Sequence, residues 1–564
     1  MASYAPRAYQ ANAFTRSPVH AIHGMVATNH PQASEIGLRI LKAGGNATDA
    51  AIAIAATLAL VEPCSTGMGG DCFLLHYDAA TKKVSALNGS GRCPAALTLE
   101  RARHDCPGAT KFTLDHVHAV TVPGGVAGWV DAVDAWGSMT MEQVLRPAIE
   151  LAKDGFPVST QTALGWQRGI GQLKKWPHPD DLLVDGEAPR AGEVRYIPHL
   201  LHHHARQIFR NLNLAASLEE VAAKGKPGFY EGRVAKAIVD AVQSHGGVLS
   251  LDDLKTHTST FLDPIKVTFE GVDVYEVPPN GQGITALMAL NMLKEVQGDA
   301  WKQAVNSEKY LHTLIEVLRL AFMDTRWYVT DPAVEHVPIK ELLSTEYAHE
   351  RLKLVNPDKA EIDPKRGSPV LSSGTVSFQV VDGAGNAVSM VNSNYAGFGT
   401  GLIPKGCGFT LQNRGVNFSL DENHPNKLAP GKRPYHTIIP GMALYADSQL
   451  LHSSFTVMGG FMQPQGHVQV LLNQLVFKMD PQAALDTPRF CIGTSEGDFS
   501  YIYIEPGVAP DVIEKLRAKG HAIKILDANT VSAVGRGQII TKNPRNGVLC
   551  AGSDGRGDGL PMGW

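Results

Sequence analysis

The chain has 564 residues, of which 44% are hydrophobic and 19% charged, and its formal net charge at pH 7 is −4. This composition is typical of a globular protein with a large core and excludes a disordered chain. The small net charge gives no reason to expect nucleic acid or a membrane surface as a partner. Residues 1–24 lack the apolar core of a secretion signal, and the most apolar stretch, residues 50–61, is too short to span a bilayer, so we expect a cytoplasmic protein.

Two helices are predicted at the start of the N-terminal third. Apolar residues at helical spacing indicate the first over residues 32–43, where two glycines end it. Asn46 or Thr48 can cap the second, over residues 49–61. A loop of small residues then leads into an apolar run at 72–77 that predicts a strand.

Helical periodicity continues at Met141–Asp154 and Glu308–Tyr328. In the C-terminal third, β-rich runs at 376–382 and 387–392 are joined by a glycine-rich turn, which is typical of a hairpin. Residues 455–458 predict a further strand.

The glycine pair Gly459-Gly460 follows that strand, and a helix is predicted from about residue 468 to 478. Strands paired locally, with helices between them, indicate stacked sheets covered by helices. We therefore expect an α+β fold.

The sequence gives no sign of a metal or cofactor. Its seven cysteines include no CxxC pair and no zinc spacing, so we interpret them as small buried hydrophobic residues. The triplet His202-His203-His204 would face three directions on a helix and would not form one metal site.

Thr375 stands where a segment with several Gly and Ser residues, which we expect to be a flexible loop, meets a predicted strand. If the Gly374–Thr375 bond breaks, Thr375 gains a free α-amine beside its own hydroxyl. An α-amine titrates near 7.7–8.0, so it can act as a general base near neutral pH and activate the hydroxyl as a nucleophile. A threonine at the start of a strand is more often structural, so these residues alone leave both interpretations open.

A series of motifs along the chain resembles the γ-glutamyltranspeptidase, or glutathione hydrolase, family. The motifs occur in the family's order from residue 24 to the C-terminus, at residues 43–51, 63–73, 120–129, 152–156, 375–382, 386–388, 398–401, 432–434, 459–460 and 488–490. The resemblance implies a four-layer αββα sandwich of the N-terminal-nucleophile hydrolase type. It also implies a precursor that cuts itself into a large subunit, residues 1–374, and a small subunit, residues 375–564, which together form one intertwined domain.

The family's catalytic residues carry over by motif position. Thr375 would be the nucleophile, and Ser393 falls where the family has a threonine that hydrogen-bonds the nucleophile. Gly459 and Gly460 fall at the pair whose N–H groups form the oxyanion hole, and Arg92 at an arginine that binds the substrate α-carboxylate. Taken without the family, the glycines are a strand-to-helix turn and Arg92 a surface arginine.

The chain departs from the family in the substrate pocket. The family's carboxylate for the α-ammonium is replaced by Asn417, and a neutral glutamine is replaced by Arg414. A pair of serines is replaced by His436 and Thr437, which we also expect to line the pocket. Losing the carboxylate removes most of the Coulomb attraction for an ammonium, and an added guanidinium favours anions. These features resemble a branch of the family that includes oxamate amidohydrolase and related acylases.

Three functions therefore remain open. The first is a γ-glutamyltransferase or glutathione hydrolase that passes a γ-glutamyl group to water or an amino acid. The second is an amidohydrolase of a small non-glutamyl acid amide of the oxamate or glutaryl type. The third is a non-catalytic scaffold. In the first two, the partner is a small-molecule amide and no cofactor is implied.

Overall fold

The computed structural model describes residues 16–192, 208–361, 375–493, 501–527 and 530–564. Within these ranges the chain forms two seven-stranded antiparallel sheets, helices that cover them, and a separate three-stranded sheet. The two large sheets face each other, which confirms the four-layer αββα sandwich expected from the sequence. The histidine triplet His202-His203-His204 and Gly374 lie outside the described residues.

The strands of the described residues follow in chain order. They are β1 (Val19–Ala21), β2 (Met25–Thr28), β3 (Asp71–Asp78), β4 (Lys83–Gly89), β5 (Thr260–Leu262), β6 (Ile265–Phe269), β7 (Val272–Glu276), β8 (Val376–Val381), β9 (Ala387–Ser393), β10 (Gly441–Tyr445), β11 (Leu451–Met458), β12 (Phe490–Ile492), β13 (Tyr501–Ile504), β14 (Ala522–Ile525), β15 (Arg536–Lys542), β16 (Leu549–Ser553) and β17 (Leu560–Gly563).

The α-helices of the same ranges are also given in chain order. They are α1 (Pro31–Lys42), α2 (Ala47–Val61), α3 (Leu99–Asp105), α4 (Gly125–Trp136), α5 (Met141–Asp154), α6 (Thr160–Leu173), α7 (Leu212–Lys224), α8 (Pro227–Tyr230), α9 (Gly232–Gln243), α10 (Leu251–Lys255), α11 (Gly283–Glu295), α12 (Glu308–Tyr328), α13 (Ile339–Leu342), α14 (Thr345–Leu352), α15 (Met462–Leu475), α16 (Pro481–Asp486) and α17 (Pro510–Ala518).

Each large sheet mixes strands from both sides of the segment 362–374. The first sheet has the order β17-β2-β8-β9-β3-β4-β5, and the second has the order β1-β16-β15-β11-β10-β7-β6. In the first sheet, Val26 of β2 pairs with Val380 of β8 on one side and with Met562 of β17 on the other. The N-terminal and C-terminal parts of the chain are therefore interleaved and cannot separate without breaking both sheets.

Three apolar clusters fill the spaces between the four layers. Phe73, Val391 and Ile438 belong to the cluster between the sheets. A second cluster lies between the first sheet and the helices of the N-terminal half, where every residue of α2 is buried. A third joins the second sheet to helices that include α11 and α15. Burial of this apolar surface is the main favourable term in folding.

Local sequence patterns predict the ends of several helices and strands close to where the structure has them. Helices α5 and α12 have the predicted bounds, and α2 begins at Ala47 because Asn46 and Asp49 form a reciprocal capping box. The hairpin is also confirmed, with Val381 of β8 paired to Ala387 of β9.

The predicted start of α15 at residue 468 is wrong, since this helix begins at Met462 and ends at Leu475. Pro464 lies in the first turn of α15, where backbone N–H groups have no partner within the helix. The N–H that proline lacks therefore costs the helix no hydrogen bond. Every residue of α15 is buried, so no polar stripe marks where the helix begins.

The seven cysteines all lie in the described residues as free thiols, and six of them are buried. Among the described helices, none is long and apolar enough to cross a membrane.

Candidate active site

Thr375 and Ser393 lie side by side at the open end of the β8–β9 hairpin. The pairing of Val376 with Asn392 brings the two residues just beyond it together. Both are fully buried, and the hydroxyl oxygens Thr375 Oγ1 and Ser393 Oγ are 3.1 Å apart. The structure thus brings together the predicted nucleophile and its predicted hydrogen-bond partner.

The Ser393 hydroxyl is fixed by two N–H donors. The backbone N–H of Tyr395 donates to Ser393 Oγ at 2.8 Å, and Arg414 Nη2 donates at 3.3 Å. A serine oxygen accepts two hydrogen bonds and donates one. With both accepting positions used, Ser393 keeps its hydrogen as a donor, and Thr375 Oγ1 stands at acceptor distance.

Arg414 is a buried cation at the centre of the site. It lies in the 3₁₀ helix Arg414–Asn417, and its Nη1 donates to Thr437 Oγ1 at 2.7 Å. Its guanidinium carbon is 4.4 Å from the centroid of the Tyr395 ring, within the range of a cation–π contact. Burial lowers the pKa of Arg414 to about 10, while Asp71 and Tyr395 act in the opposite direction, so Arg414 stays charged at neutral pH.

Asp71 supplies the negative charge that faces Arg414. Its Oδ2 is 3.9 Å from Arg414 Nε and 3.1 Å from His436 Nε2, and its Oδ1 accepts the N–H groups of Gly91 at 2.9 Å and Gly124 at 3.2 Å. Asp71 was not predicted from the sequence as a residue of the site. In the sequence it is a single aspartate that follows a run of small residues and begins the apolar strand β3.

His436 acts on the site through Asp71. Its Nδ1 accepts the N–H of Ile438 at 3.3 Å, so the ring hydrogen is on Nε2 and is donated to Asp71. Burial and the charge of Arg414 lower the pKa of His436 to about 3, although Asp71 opposes them, so the ring is neutral. Both ring nitrogens of His436 are therefore engaged in hydrogen bonds.

Asn417, which was also predicted to line the pocket, is buried. Its Nδ2 has no hydrogen-bond partner among the described residues.

Gly459 and Gly460 form a turn directly after β11. Their φ angles of 136° and 60° lie in the left-handed region, where a side chain would be strained. Gln282 Nε2 donates to the carbonyls of Gly460 at 2.8 Å and Thr437 at 2.7 Å. The Gln282 side chain therefore links the glycine turn to Thr437, whose hydroxyl accepts a hydrogen bond from Arg414.

Arg92 lies next to the loop that Asp71 fixes, since Asp71 accepts the N–H of Gly91. The side chain is partly buried, and its Nη1 donates to the Thr258 carbonyl at 3.2 Å. Arg433 Nη2 donates to the same carbonyl at 3.3 Å, so two guanidinium groups converge there. The structure shows no direct contact between Arg92 and Thr375 or Arg414 within the described residues.

A buried threonine at the start of a β-strand, inside a four-layer αββα sandwich, is the arrangement of N-terminal-nucleophile hydrolases. The sequence model of the gamma-glutamyltranspeptidase family matches residues 33–564, and the chain belongs to this family of hydrolases and transpeptidases.

Two curated relatives match over nearly their whole length. The chain is 35% identical over 542 residues to the glutathione hydrolase-like YwrD proenzyme of Bacillus subtilis (strain 168), covering 96% of this chain and 98% of the relative. It is 31% identical over 552 residues to the oxamate amidohydrolase proenzyme of Klebsiella pneumoniae, covering 96% and 98%. Among solved structures, the cephalosporin acylase of Bacillus halodurans superimposes with a TM-score of 0.87 at 38% identity, covering 99% of each chain.

Proposed function

We propose that the protein is a self-cleaving amidohydrolase that uses Thr375 to hydrolyse the amide of a small carboxylic acid that lacks an α-ammonium group. The observation that supports this most directly is the row of contacts from Thr375 Oγ1 to Ser393 Oγ and on to the buried cation Arg414. Ser393 positions the Thr375 hydroxyl, and the same serine also contacts the positively charged guanidinium of Arg414. The same hydroxyl serves both self-cleavage and substrate hydrolysis.

In the first step the chain cuts itself. Thr375 Oγ1 attacks the carbonyl carbon of Gly374, the C–N bond to Thr375 breaks, and an ester joins the two residues. Water then hydrolyses the ester, which leaves a carboxylate on Gly374 and a free α-amine on Thr375. The pieces 1–374 and 375–564 stay together because their strands interleave in both sheets. The word proenzyme in the names of both curated relatives supports this step.

In the second step the new α-amine takes the hydroxyl proton as Thr375 Oγ1 attacks the substrate carbonyl. The N–H groups of Gly459 and Gly460 stabilise the negative oxygen of the tetrahedral intermediate, and one such donor is typically worth about 2.7–4 kcal/mol. The amine half leaves with a proton, and water hydrolyses the remaining threonyl ester to the free acid.

The charges of the site support an acyl group with a carboxylate and no ammonium. Arg92 and Arg414 both favour an anion. Asp71, the carboxylate at the centre of the site, already accepts two backbone N–H groups and the His436 ring, and it faces Arg414. An α-ammonium would therefore find no available carboxylate in this network. The name oxamate amidohydrolase agrees with this choice, because oxamate is the amide of a small acid and has a carboxylate but no ammonium group.

A γ-glutamyl donor is the second candidate, and the relative named glutathione hydrolase-like supports it. The test is to compare kcat/KM of the processed enzyme for glutaryl-p-nitroanilide, oxamate and γ-glutamyl-p-nitroanilide. We expect one of the first two to exceed the γ-glutamyl substrate at least tenfold, and the Thr375→Ala variant to hydrolyse none of them. A wild-type preference for the γ-glutamyl substrate would contradict the proposal.

A further inference from the structure

Tyr395 belongs to the site, but the chemistry proposed above does not use its side chain. It lies two residues after Ser393 and is fully buried. Its φ angle of 78° is in the left-handed region, which a residue with a side chain rarely adopts unless its surroundings hold it there. In this conformation the backbone N–H of Tyr395 donates to Ser393 Oγ at 2.8 Å, so the strained residue contacts the hydrogen-bond partner of the nucleophile.

The ring of Tyr395 lies against Arg414, which connects it to the nucleophile by a second route. The guanidinium carbon of Arg414 is 4.4 Å from the centroid of the ring. Arg414 Nη2 donates to Ser393 Oγ at 3.3 Å, and Ser393 Oγ is 3.1 Å from Thr375 Oγ1. The guanidinium nitrogen is therefore no more than two hydrogen-bond lengths from the nucleophilic oxygen.

The side chain of Asn417 lies on the same side of its helix as that of Arg414. The two residues are the first and the last of one 3₁₀ helix, and side chains three residues apart in a 3₁₀ helix are eclipsed. Val416 and Phe418, which flank Asn417 in the chain, pack with Tyr395 in one apolar cluster. Tyr395 and Asn417 therefore both adjoin the guanidinium of Arg414.

These three residues carry buried donors without a hydrogen-bond partner among the described residues. The donors are the Tyr395 hydroxyl, Asn417 Nδ2 and Arg414 Nε, and we call them the donor cluster. Arg414 Nε is 3.9 Å from Asp71 Oδ2, which is longer than a hydrogen bond. Buried polar groups are nearly always hydrogen-bonded, so three unpaired donors around one guanidinium form a site for an acceptor.

The Tyr395 hydroxyl stays protonated and can donate at neutral pH. Burial raises the pKa of Tyr395, while Arg414 and the Asn417 side chain act in the opposite direction. Arg414 is charged under the same conditions. The donor cluster thus combines one positive charge with two neutral donors.

We infer that the donor cluster binds the carboxylate of the acyl group, and that the Tyr395 hydroxyl and Asn417 Nδ2 determine the specificity of the enzyme for acids. A carboxylate accepts hydrogen bonds at both oxygens and donates none, so it satisfies the donors and faces the charge of Arg414. An ammonium group only donates and carries the same charge as Arg414, so the cluster disfavours it. The substrate is then an amide whose acyl part carries a carboxylate. This inference rests on the proposed function.

The test is Tyr395→Phe, which removes the hydroxyl but keeps the ring on Arg414 and the backbone N–H on Ser393. It compares glutaryl-p-nitroanilide with pentanoyl-p-nitroanilide, in which a methyl group replaces the carboxylate. We expect kcat/KM to fall about tenfold or more for the glutaryl substrate, mainly through KM, and less than about twofold for the pentanoyl substrate, as for the loss of a hydrogen bond to a charged group. Asn417→Leu should show the same selectivity.

Self-cleavage provides an internal control, because it uses Thr375 and Ser393 but its acyl group, Gly374, carries no side-chain carboxylate. Its rate during cell-free synthesis should be similar in Tyr395→Phe and in the wild type. Tyr310→Phe is the matched variant, since Tyr310 is also buried but packs against Phe477, away from the site, and it should affect neither anilide.

Equal losses on both anilides after Tyr395→Phe, with slower self-cleavage, would show a structural role and overturn the inference, as would no loss on either. If the enzyme cleaves no glutaryl amide, the substrate class must be tested separately, and calorimetric binding of glutarate and oxalate to the processed enzyme tests the cluster. We then expect Tyr395→Phe to weaken binding about tenfold. Neither acid binding to the wild type, or both binding equally well to Tyr395→Phe, would overturn the inference in that case.

Discussion

Arg414 Nε and Asp71 Oδ2 lie 3.9 Å apart, and neither side chain has any exposed surface. Asp71 compensates part of the Arg414 charge inside the protein, while Arg414 Nη1 and Nη2 donate to Thr437 and Ser393. A buried charge that loses its partner destabilises the folded protein, so we expect the stability to depend on both residues of this pair.

We expect Asp71→Asn to lower the free energy of unfolding by about 3–5 kcal/mol, because it leaves the Arg414 charge buried without compensation. Denaturant unfolding measures the change. The double variant Asp71→Asn with Arg414→Met should recover part of the stability, since both charges are then gone, but not the activity. Independent, additive losses in the two single variants would show that the pair is not coupled.

Expression of the wild-type chain should give two pieces, residues 1–374 and 375–564, that purify together. Thr375→Ala should remain one chain without activity, because it has no hydroxyl for either step. Thr375→Ser keeps a hydroxyl and serves as the matched control, with slower but detectable cleavage. Intact-mass measurement locates the cut. An active wild-type protein that stays uncut would refute the mechanism.

Arg92→Lys should raise KM for the best acid amide and leave self-cleavage intact. Lysine keeps the charge but loses the planar fork that binds a carboxylate through two parallel hydrogen bonds. A rise in KM of about tenfold corresponds to about 1.4 kcal/mol of binding free energy. Steady-state kinetics measure it, and an unchanged KM would remove Arg92 from the substrate site.

Asn417→Asp should increase kcat/KM for γ-glutamyl-p-nitroanilide relative to glutaryl-p-nitroanilide, which differs only by lacking the ammonium. A tenfold gain in this ratio requires about 1.4 kcal/mol of transition-state binding. Arg414 lies in the same 3₁₀ helix and could neutralise the new carboxylate, so the variant is also tested with Arg414→Gln. An unchanged ratio in both backgrounds would show that position 417 does not select the acyl group.

His257 should make the protein sensitive to mild acid. It is buried with no hydrogen-bond partner for either ring nitrogen among the described residues, and burial, Arg433 and Arg92 lower its pKa to about 3. The unfolded chain, with a pKa near 6.5, binds more protons below that pH, so stability falls as the pH drops from about 6.5 toward 3, by at most about 1.4 kcal/mol per pH unit.

The variant His257→Phe keeps a ring to stack on Tyr230, whose centroid is 5.6 Å away, and removes the titrating group. We expect it to flatten the decline of the unfolding temperature between pH 6.5 and 4. The same substitution at the exposed His336 should leave the slope unchanged. Equal slopes for wild type and His257→Phe would contradict the role given to His257.

The sequence by itself determined the features that depend on neighbouring residues. The capping box of Asn46 and Asp49 fixes the start of α2, and the glycine-rich turn fixes the β8–β9 hairpin, because these contacts form within a few residues. That hairpin alone brings Thr375 beside Ser393. The order of the motifs along the chain was sufficient to predict the family and its four-layer fold.

Only the tertiary structure decided which distant groups meet. Asp71 and Arg414 are far apart in sequence, and no local pattern in either segment predicts that the two side chains meet. Their contact arises because β3 pairs with β9, and the 3₁₀ helix that follows later in the chain then points Arg414 at both Ser393 and Asp71. The same holds for His436, whose protonation is set by burial and by Asp71 and Arg414 rather than by its neighbours in the chain. Charge and burial act through space, so pairing and pKa are properties of the folded protein.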